Sequence, residues 1–447
     1  LEANSGKRDQ WGSRFGFIMA AAGSAIGLGN IWRFPYITGK YGGGAFVLVY
    51  LAFVLVIGAS VLLAELAIGR RAKLDAAGAY RKLGGGAWPL VGYLGIFCGS
   101  VILSYYAVIT GWTLAYMFKS FGGLMEEAAA GRAAESFSTF IANPYLTVIC
   151  LCAVMAGVVL VVYRGISGGI EKSCKVLMPM LFIILLLLIV RSLTLPGASA
   201  GLRFYLMPDL SKLSAEGVLA AFGQGFYSLS LGMGITVTYG SYLSSKEYMP
   251  TMTRTIVLLD TMAAFMAGLV IFPAVFAFGI DAGSGPGLTF VTLPAVFAQM
   301  PMGAFFSFAF FALLFIAAFT SAIALFEVSV TYAVDELRWT RAKSAIVMGL
   351  AITLLGVPSA LSGGGHIPEI CGKGFLDAVD FITNNAIMPI GGIFTSIFVG
   401  WIWTKDALDE VTNRGEFKFK LYRAWLWVCR LVAPVCITAV FITGLKW

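Results

Sequence analysis

Gly23-Ser-Ala-Ile-Gly-Leu-Gly-Asn30 interrupts the first apolar segment of this chain, and Tyr227-Ser-Leu-Ser-Leu-Gly-Met-Gly234 interrupts the sixth. In hydrocarbon an unpaired backbone N–H or C=O costs several kcal/mol, so a helix comes apart only where a cavity, an ion or a ligand takes up the freed groups. Glycine alone also serves close helix packing. Here it is accompanied by Ser24, Asn30, Ser228 and Ser230. Hard oxygen donors beside free carbonyls suit an alkali cation, and freed amides at the start of a half-helix suit a carboxylate.

The surroundings of these breaks are those of a multi-span membrane protein. Of 447 residues 59% are hydrophobic and 12% charged, with a mean hydropathy of +0.87, well outside soluble composition. A bilayer core of about 30 Å takes roughly 20 residues per helical crossing. Eleven segments qualify, near 15–37, 45–68, 88–118, 145–163, 176–190, 218–243, 256–280, 304–334, 345–361, 375–403 and 424–445. Segments one to five and six to ten each open on an interrupted helix, the pattern of a 5+5 inverted repeat with a binding site at the membrane midplane. The expected organisation is all-α and integral to the membrane. A cytoplasmic tail covers 1–10, the first repeat 11–195, an extracellular linker 196–216, the second repeat 217–403, and a cytoplasmic loop with the eleventh helix 404–447. The opening Leu1-Glu-Ala-Asn-Ser reads as a tag or processing scar and is set aside.

Basic residues orient the segments, since cytoplasmic loops are rich in Lys and Arg. Lys7, Arg8 and Arg14, then Arg70, Arg71, Lys73, Arg81 and Lys82, then Arg164, Lys172 and Lys175, then Lys246 and Arg254, then Arg338, Arg341 and Lys343 all fall on one side. The other side pairs Lys119 with Glu126 and Glu127, and Arg203 with Asp209. The N-terminus is therefore expected inside and, after an odd number of crossings, the C-terminus outside. The net charge of +8 follows this bias and forms no clustered stripe for nucleic acid. Cys98, Cys150, Cys152, Cys174, Cys371, Cys429 and Cys436 are scattered without metal-ligand spacing. With His366 as the only histidine, histidine metal clusters and nucleophile triads are excluded by inventory.

Gly27-Leu-Gly-Asn-Ile-Trp-Arg-Phe-Pro35, Gly42-Gly-Gly-Ala-Phe46 and Glu65-Leu-Ala-Ile-Gly-Arg70 resemble the signature of the neurotransmitter:sodium symporters, in particular their bacterial amino-acid transporters. The likeness extends through Tyr105-Tyr106, the sixth segment, Thr289-Phe-Val-Thr-Leu-Pro294, Thr320-Ser321 and Phe375-Leu-Asp-Ala-Val-Asp380, nearly the whole chain.

The resemblance implies a sodium-coupled symporter working by alternating access in a bacterial plasma membrane, as a monomer or weak dimer, with no nucleic-acid partner. It implies two Na+ sites. One takes the Ala25 carbonyl, Asn30, Ser228, Asp260 and the substrate carboxylate; the other takes the carbonyls of Gly23, Ile26 and Ala317 with the hydroxyls of Thr320 and Ser321. Thr320 and Ser321 have the alternative of bonding back to the preceding turn. Monoamine carriers of this family place an aspartate where this chain has Gly27, so an amino acid bringing its own carboxylate is the expected ligand. That carboxylate would meet amides near Leu28 and Gly29 and the Tyr106 hydroxyl. The amine would meet carbonyls around Ser24, Ala25, Tyr227 and Ser230, with Ile102, Tyr106, Tyr227, Met233, Ser321 and Leu325 as an apolar wall suited to hydrophobic or aromatic side chains.

Asp260 departs from the commoner asparagine, and Ala264 stands where chloride-dependent members carry serine. A carboxylate in mid-membrane is a functional group by default, here a replacement for chloride and a candidate proton carrier on the return step. Glu65 and Glu327 are expected to bond the unwound backbone. Arg33 with Asp380 resembles an external gate, and Arg8 with Asp335 an internal one, Trp11 and Tyr242 lying nearby. Gly169 and Pro179 resemble a family motif at which the fifth helix unwinds; a plain helix start and a kink remain the alternative. Proton coupling in place of a sodium ion, and an ion channel, stay open as other functions. An intramembrane enzyme would have only Asp377 and Asp380, one turn apart on one helix, to attack with.

Overall fold

The computed structural model describes residues 9–279 and 287–445. Among these the regular elements are helices, beside one isolated bridge between Ile370 and Lys373. Nine helices among the described residues are long and apolar enough to cross a membrane, and a tenth crossing is the pair Arg14–Ala25 and Gly29–Lys40, bent by 53°. The expected eleven are not reached by this criterion. The sixth segment is split into Ala215–Ser228 and Ile235–Ser241, of 14 and 7 residues. At 1.5 Å per residue these are about 21 and 10 Å long, each too short for the bilayer core alone.

Local chemistry sets the helix starts. Ser13 accepts from the Gly16 N–H and Ser214 from the Gly217 N–H, while Asn143 caps Pro144–Tyr163. Proline near the first turn of Pro89–Lys119, Pro144–Tyr163 and Met249–Ala277 removes a donor that would have no partner there.

Burial separates a scaffold core from a lipid-facing rim. The third segment (Pro89–Lys119) and the eighth (Gly303–Asp335) have 78% of their apolar windows buried, whereas Pro144–Tyr163 and Ile166–Leu193 have 33% and Tyr422–Gly444 only 17%. The two most buried helices pack along each other, and the bent first segment lies against the eighth, fifth and seventh. Glycine permits the closest approach where Ile235–Ser241 meets the second segment. A Cβ on Gly240 would stand 2.7 Å from the Leu66 carbonyl oxygen. The short half-helix is thus fixed backbone to backbone, which places the second break beside the first.

The fifth segment starts ten residues before its predicted position at Val176. Gly165, at φ +89°, turns the chain, and a wide π turn over Ile166–Glu171 runs into Lys172–Leu193 with Pro179 inside the helix. The stretch from Gly169 to Pro179 is helical and shows no unwinding. Lys172 and Lys175 look like loop residues in the sequence, but Lys175 pairs with Glu171 one turn away at 2.6 Å.

Candidate functional site

Helical pairing in the first segment ends when Ile26 N–H reaches the Ala22 carbonyl at 2.7 Å, and Ile26 itself is extended at φ −74°, ψ 96°. Gly27 and Leu28 cross the gap before a π turn over Gly29–Arg33 resumes the helix. The freed groups find partners from distant segments, as the membrane interior requires. Gly27 N–H donates to Asn30 Oδ1 at 3.2 Å and Leu28 N–H to the Tyr106 hydroxyl at 3.1 Å. The Gly29 carbonyl accepts from Gln224 Nε2 at 2.8 Å, and the Ser24 carbonyl from the Ser230 hydroxyl at 3.1 Å.

In the second break Ser230, Gly232 and Gly234 have φ of +53°, +78° and +73°, a region that glycine enters freely and serine only with strain. Glu65, buried in the second segment, accepts from the Gly232 N–H at 2.8 Å. It is therefore the backbone partner expected of it. Glu327 is not. Its carboxylate pairs with Arg341 at 2.6 Å and accepts from the Tyr242 hydroxyl at 2.8 Å and the Thr331 hydroxyl at 3.0 Å. A fully buried acid on the eighth segment is compensated most completely by a guanidinium, and Arg341 lies close enough in the chain to supply one.

Between the breaks lies a polar cluster. Asn30 Nδ2 donates to Asp260 Oδ1 at 2.7 Å and to the Ser228 hydroxyl at 3.0 Å; that hydroxyl donates to Asp260 Oδ2 at 2.8 Å. The Tyr50 hydroxyl lies 3.2 Å from the Ser228 hydroxyl. Asn30 and Asp260 are 0% exposed. On the other side of the first break, the Ser321 hydroxyl faces the Gly23, Ile26 and Ala317 carbonyls at 3.2, 3.4 and 3.2 Å. Thr320 bonds back to the Ile316 and Ala317 carbonyls at 3.0 and 3.1 Å, the alternative open to it in the sequence. The first cluster offers carboxylate, hydroxyl and amide oxygen and the second hydroxyl and carbonyl oxygen, hard donor sets without sulfur or imidazole.

A small cavity of ≈ 30 Å³ adjoins both clusters. Ser24, Ala25, Gly29, Ile102, Tyr106, Tyr227, Ser228, Ser230, Met233, Ser321 and Leu325 line it, with Gly27 and Ile235. Leu28, expected with them, lines a second cavity of ≈ 210 Å³ above Tyr106 and Tyr227. The order of residues explains this: Leu28 lies past the break, on the outer side of Gly27.

Arg33 and Asp380 both line that outer cavity but form no ion pair within 4.0 Å. The Arg33 guanidinium lies 5.0 Å from the Tyr227 ring centroid, and Asp380 Oδ1 accepts from Asn384 Nδ2 at 2.7 Å. The expected external pair is thus a facing pair, each member held by a neighbour. Phe290 is buried in a ring cluster over the same space, 5.8 Å from Trp32 and stacked at 5.0 Å on Phe137. At the opposite end Trp11 Nε1–H donates to the Tyr239 carbonyl at 3.1 Å, and its ring meets Tyr239 and Tyr242 edge-on. Asp335 Oδ2 accepts from the Asp75 N–H at 2.7 Å. Arg8, its expected partner, lies outside the described residues.

The family model described as the sodium:neurotransmitter symporter family matches residues 8–133 and 138–446. The chain belongs to that family. Among sodium:neurotransmitter symporters, it is 40% identical to an uncharacterized sodium-dependent transporter, YhdH, of Bacillus subtilis over 97% of both chains. It is 28% identical to the sodium- and chloride-dependent taurine transporter of Bos taurus over 99% of this chain and 79% of that one. The structure of MhsT in complex with L-phenylalanine matches with a TM-score of 0.89 and 45% identity, covering 98% of this chain and all of that one. This symporter is accordingly a multi-pass, sodium-dependent membrane transporter and not an enzyme.

Three site neighbours of this symporter escaped the sequence reading. Gln224 stands one turn before Ser228 on the same helix face, a spacing that could have revealed it. Tyr50 carries no local signal, and only the packing of the second segment brings it to Ser228. Glu171 accepts from the Gly12 N–H at 2.6 Å and the Ser13 hydroxyl at 2.8 Å, tying the start of the first helix to the fifth. Its partner lies 158 residues away.

Proposed function

We propose that this symporter moves a neutral amino acid with a hydrophobic or aromatic side chain into a bacterial cell, driven by two sodium ions and without chloride. The observation that carries the reading is the glycine at position 27. A Cβ there would stand 2.8 Å from both the Tyr106 and the Ser321 hydroxyl, too close for a side chain, so the site has no carboxylate of its own at this position and suits a ligand that brings one. The donors fit the ions chemically. One Na+ would be held by the Ala25 carbonyl, Asn30, Ser228, Asp260 and the substrate carboxylate, the other by Gly23, Ile26, Ala317, Thr320 and Ser321. Ile102, Met233 and Leu325 give the side chain an apolar wall. The phenylalanine in the MhsT structure is of the same substrate class.

Asp260 supplies a fixed negative charge beside the first ion, the electrostatic role that chloride would otherwise fill. A second reading, exchange of a proton on the return step, rests on the same buried carboxylate, which sodium would hold ionised and a departing ion would leave free to protonate. Two ions crossing about 100 mV release about 4.6 kcal/mol, and tenfold gradients of both add about 2.8 kcal/mol. That sustains an amino-acid gradient of order 10⁵.

Uptake of radiolabelled L-phenylalanine into proteoliposomes, with sodium, proton and chloride gradients imposed one at a time, tests the proposal. Concentrative uptake under a sodium gradient in chloride-free buffer is expected. Uptake that needs chloride, or that follows a proton gradient without sodium, refutes it, and conductance without saturable uptake indicates a channel.

A further inference from the structure

A further cavity lies away from both helix breaks. About 480 Å³ opens at the outer ends of the third and fourth segments, beneath the short helices Leu124–Ala129 and Ala133–Ala142. Its inner wall is apolar, from Ala115, Leu146 and Cys150. The wall faces lipid, since neighbouring Tyr145 and Ile149 are 79% and 61% exposed in a helix that spans the membrane.

The rim carries two basic and two acidic side chains, Lys119, Arg132, Glu127 and Glu135. Lys119 ends the third segment, at the depth where a lysine reaches from hydrocarbon to the headgroups. Its ammonium lies over the Tyr116 and Phe140 rings at 5.2 and 5.7 Å and donates one N–H to the Ser136 hydroxyl at 3.1 Å. That hydroxyl donates in turn to Glu127 at 2.5 Å. Among the described residues the Arg132 guanidinium and the Glu135 carboxylate have no hydrogen-bond or ion-pair partner.

We propose that this cavity is a binding site for an outer-leaflet phospholipid with a primary ammonium headgroup, phosphatidylethanolamine. Arg132 presents two parallel N–H groups to the phosphate, and Lys119 adds a second cation. Glu135, with Glu127 beside it, takes the ammonium. The start of an acyl chain lies along Ala115, Leu146 and Cys150. The charges select the lipid class. A rim of two cations and two carboxylates is neutral as a whole and complements a zwitterion. A purely anionic headgroup brings no cation to the unpartnered Glu135, and a quaternary ammonium has no N–H to donate to it.

The test is native mass spectrometry of the purified, delipidated full chain mixed with phosphatidylethanolamine, phosphatidylglycerol or phosphatidylcholine of matched acyl chains. One phosphatidylethanolamine is expected to be retained at least about fivefold more than either other lipid. Arg132→Gln and Glu135→Gln should each remove that preference, and Ala115→Trp, which fills the apolar end without touching a charge, should remove retention of all three lipids. Sodium-dependent thermal stabilisation, measured on the same samples, reports that each variant is folded. Equal retention of the three lipids, preference for the anionic lipid, or undiminished phosphatidylethanolamine on the folded variants overturns the proposal.

Discussion

Asp260 and Gly27 have opposite characters in one site: a charge where hydrocarbon would exclude it, and a glycine where a Cβ would stand 2.8 Å from two hydroxyls. Asp260 is surrounded by donors, Asn30 Nδ2 and the Ser228 hydroxyl, which compensate its burial. Replacing it with Asn keeps the shape and removes the charge. Asp260→Asn should raise the sodium concentration for half-maximal uptake in chloride-free buffer by at least about tenfold, a loss of about 1.4 kcal/mol. Undiminished chloride-free uptake by this variant would remove Asp260 from the ion site. Gly27→Asp places a carboxylate between Tyr106 and Ser321. It should depress phenylalanine uptake by more than about a hundredfold, since an uncompensated buried charge costs about 3–5 kcal/mol. An uptake assay beside a folding check by size exclusion decides between lost binding and lost structure.

At the scale of elements, the second break depends on a contact outside its own segment. Glu65 answers the Gly232 N–H from the second segment, and removing a charged acceptor from a buried donor costs about 1–3 kcal/mol. Glu65→Leu should lower the thermal midpoint and slow transport, with Glu65→Gln recovering part of both. The short helix Ala76–Gly84 has a similar dependence at its start. Asp75 accepts from the Ala77 and Gly78 N–H groups at 2.9 and 3.3 Å. Burial, and then the charges of Asp335 and Glu336, hold the Asp75 carboxyl at about 6 against its capping bonds, while Arg81 is paired with Glu336 at 2.7 Å. The folded chain therefore binds this proton more tightly than the unfolded one. The resulting stability is fully present below about pH 4 and is lost as the pH rises through about 6. Amide exchange in residues 76–84, corrected for intrinsic rate, should show this fall, and Asp75→Asn should flatten it.

On the scale of the whole molecule, aromatic groups lie at both ends of the central cavity, and one of the two ends has a buried ion pair behind it. Trp11 packs edge-on against Tyr239 and Tyr242, and Tyr242 connects to the Glu327–Arg341 pair. Glu171 ties Gly12 and Ser13 to the fifth segment just ahead of its long helix. If Trp11 is displaced in the transport cycle as proposed for a gate, the Glu171 bonds couple that movement to the π turn. Amide exchange between Gly169 and Pro179 should be faster without sodium than with it. Equal protection in both conditions would confine gating to the first segment.

The sequence alone determined the all-helical membrane fold, the two broken segments and nearly all of the cavity lining. Hydrophobic length and glycine interruption are local properties, and hydrocarbon penalises every unpaired backbone group so heavily that local pattern becomes architecture. Ser24, Asn30, Ser228 and Ser230 were legible because they adjoin the breaks, whereas Ala25, Ile102, Met233 and Leu325 came only with the family resemblance. The tertiary structure alone decided which distant groups answer the freed backbone. It brought Tyr50 to Ser228, assigned Gly232 to Glu65, gave Glu327 to Arg341, and left Arg33 facing Asp380 without an ion pair. Those choices depend on the angles and depths at which helices pack, where side chains from segments far apart in the chain compete for the same donor, and one-dimensional spacing holds no record of that competition.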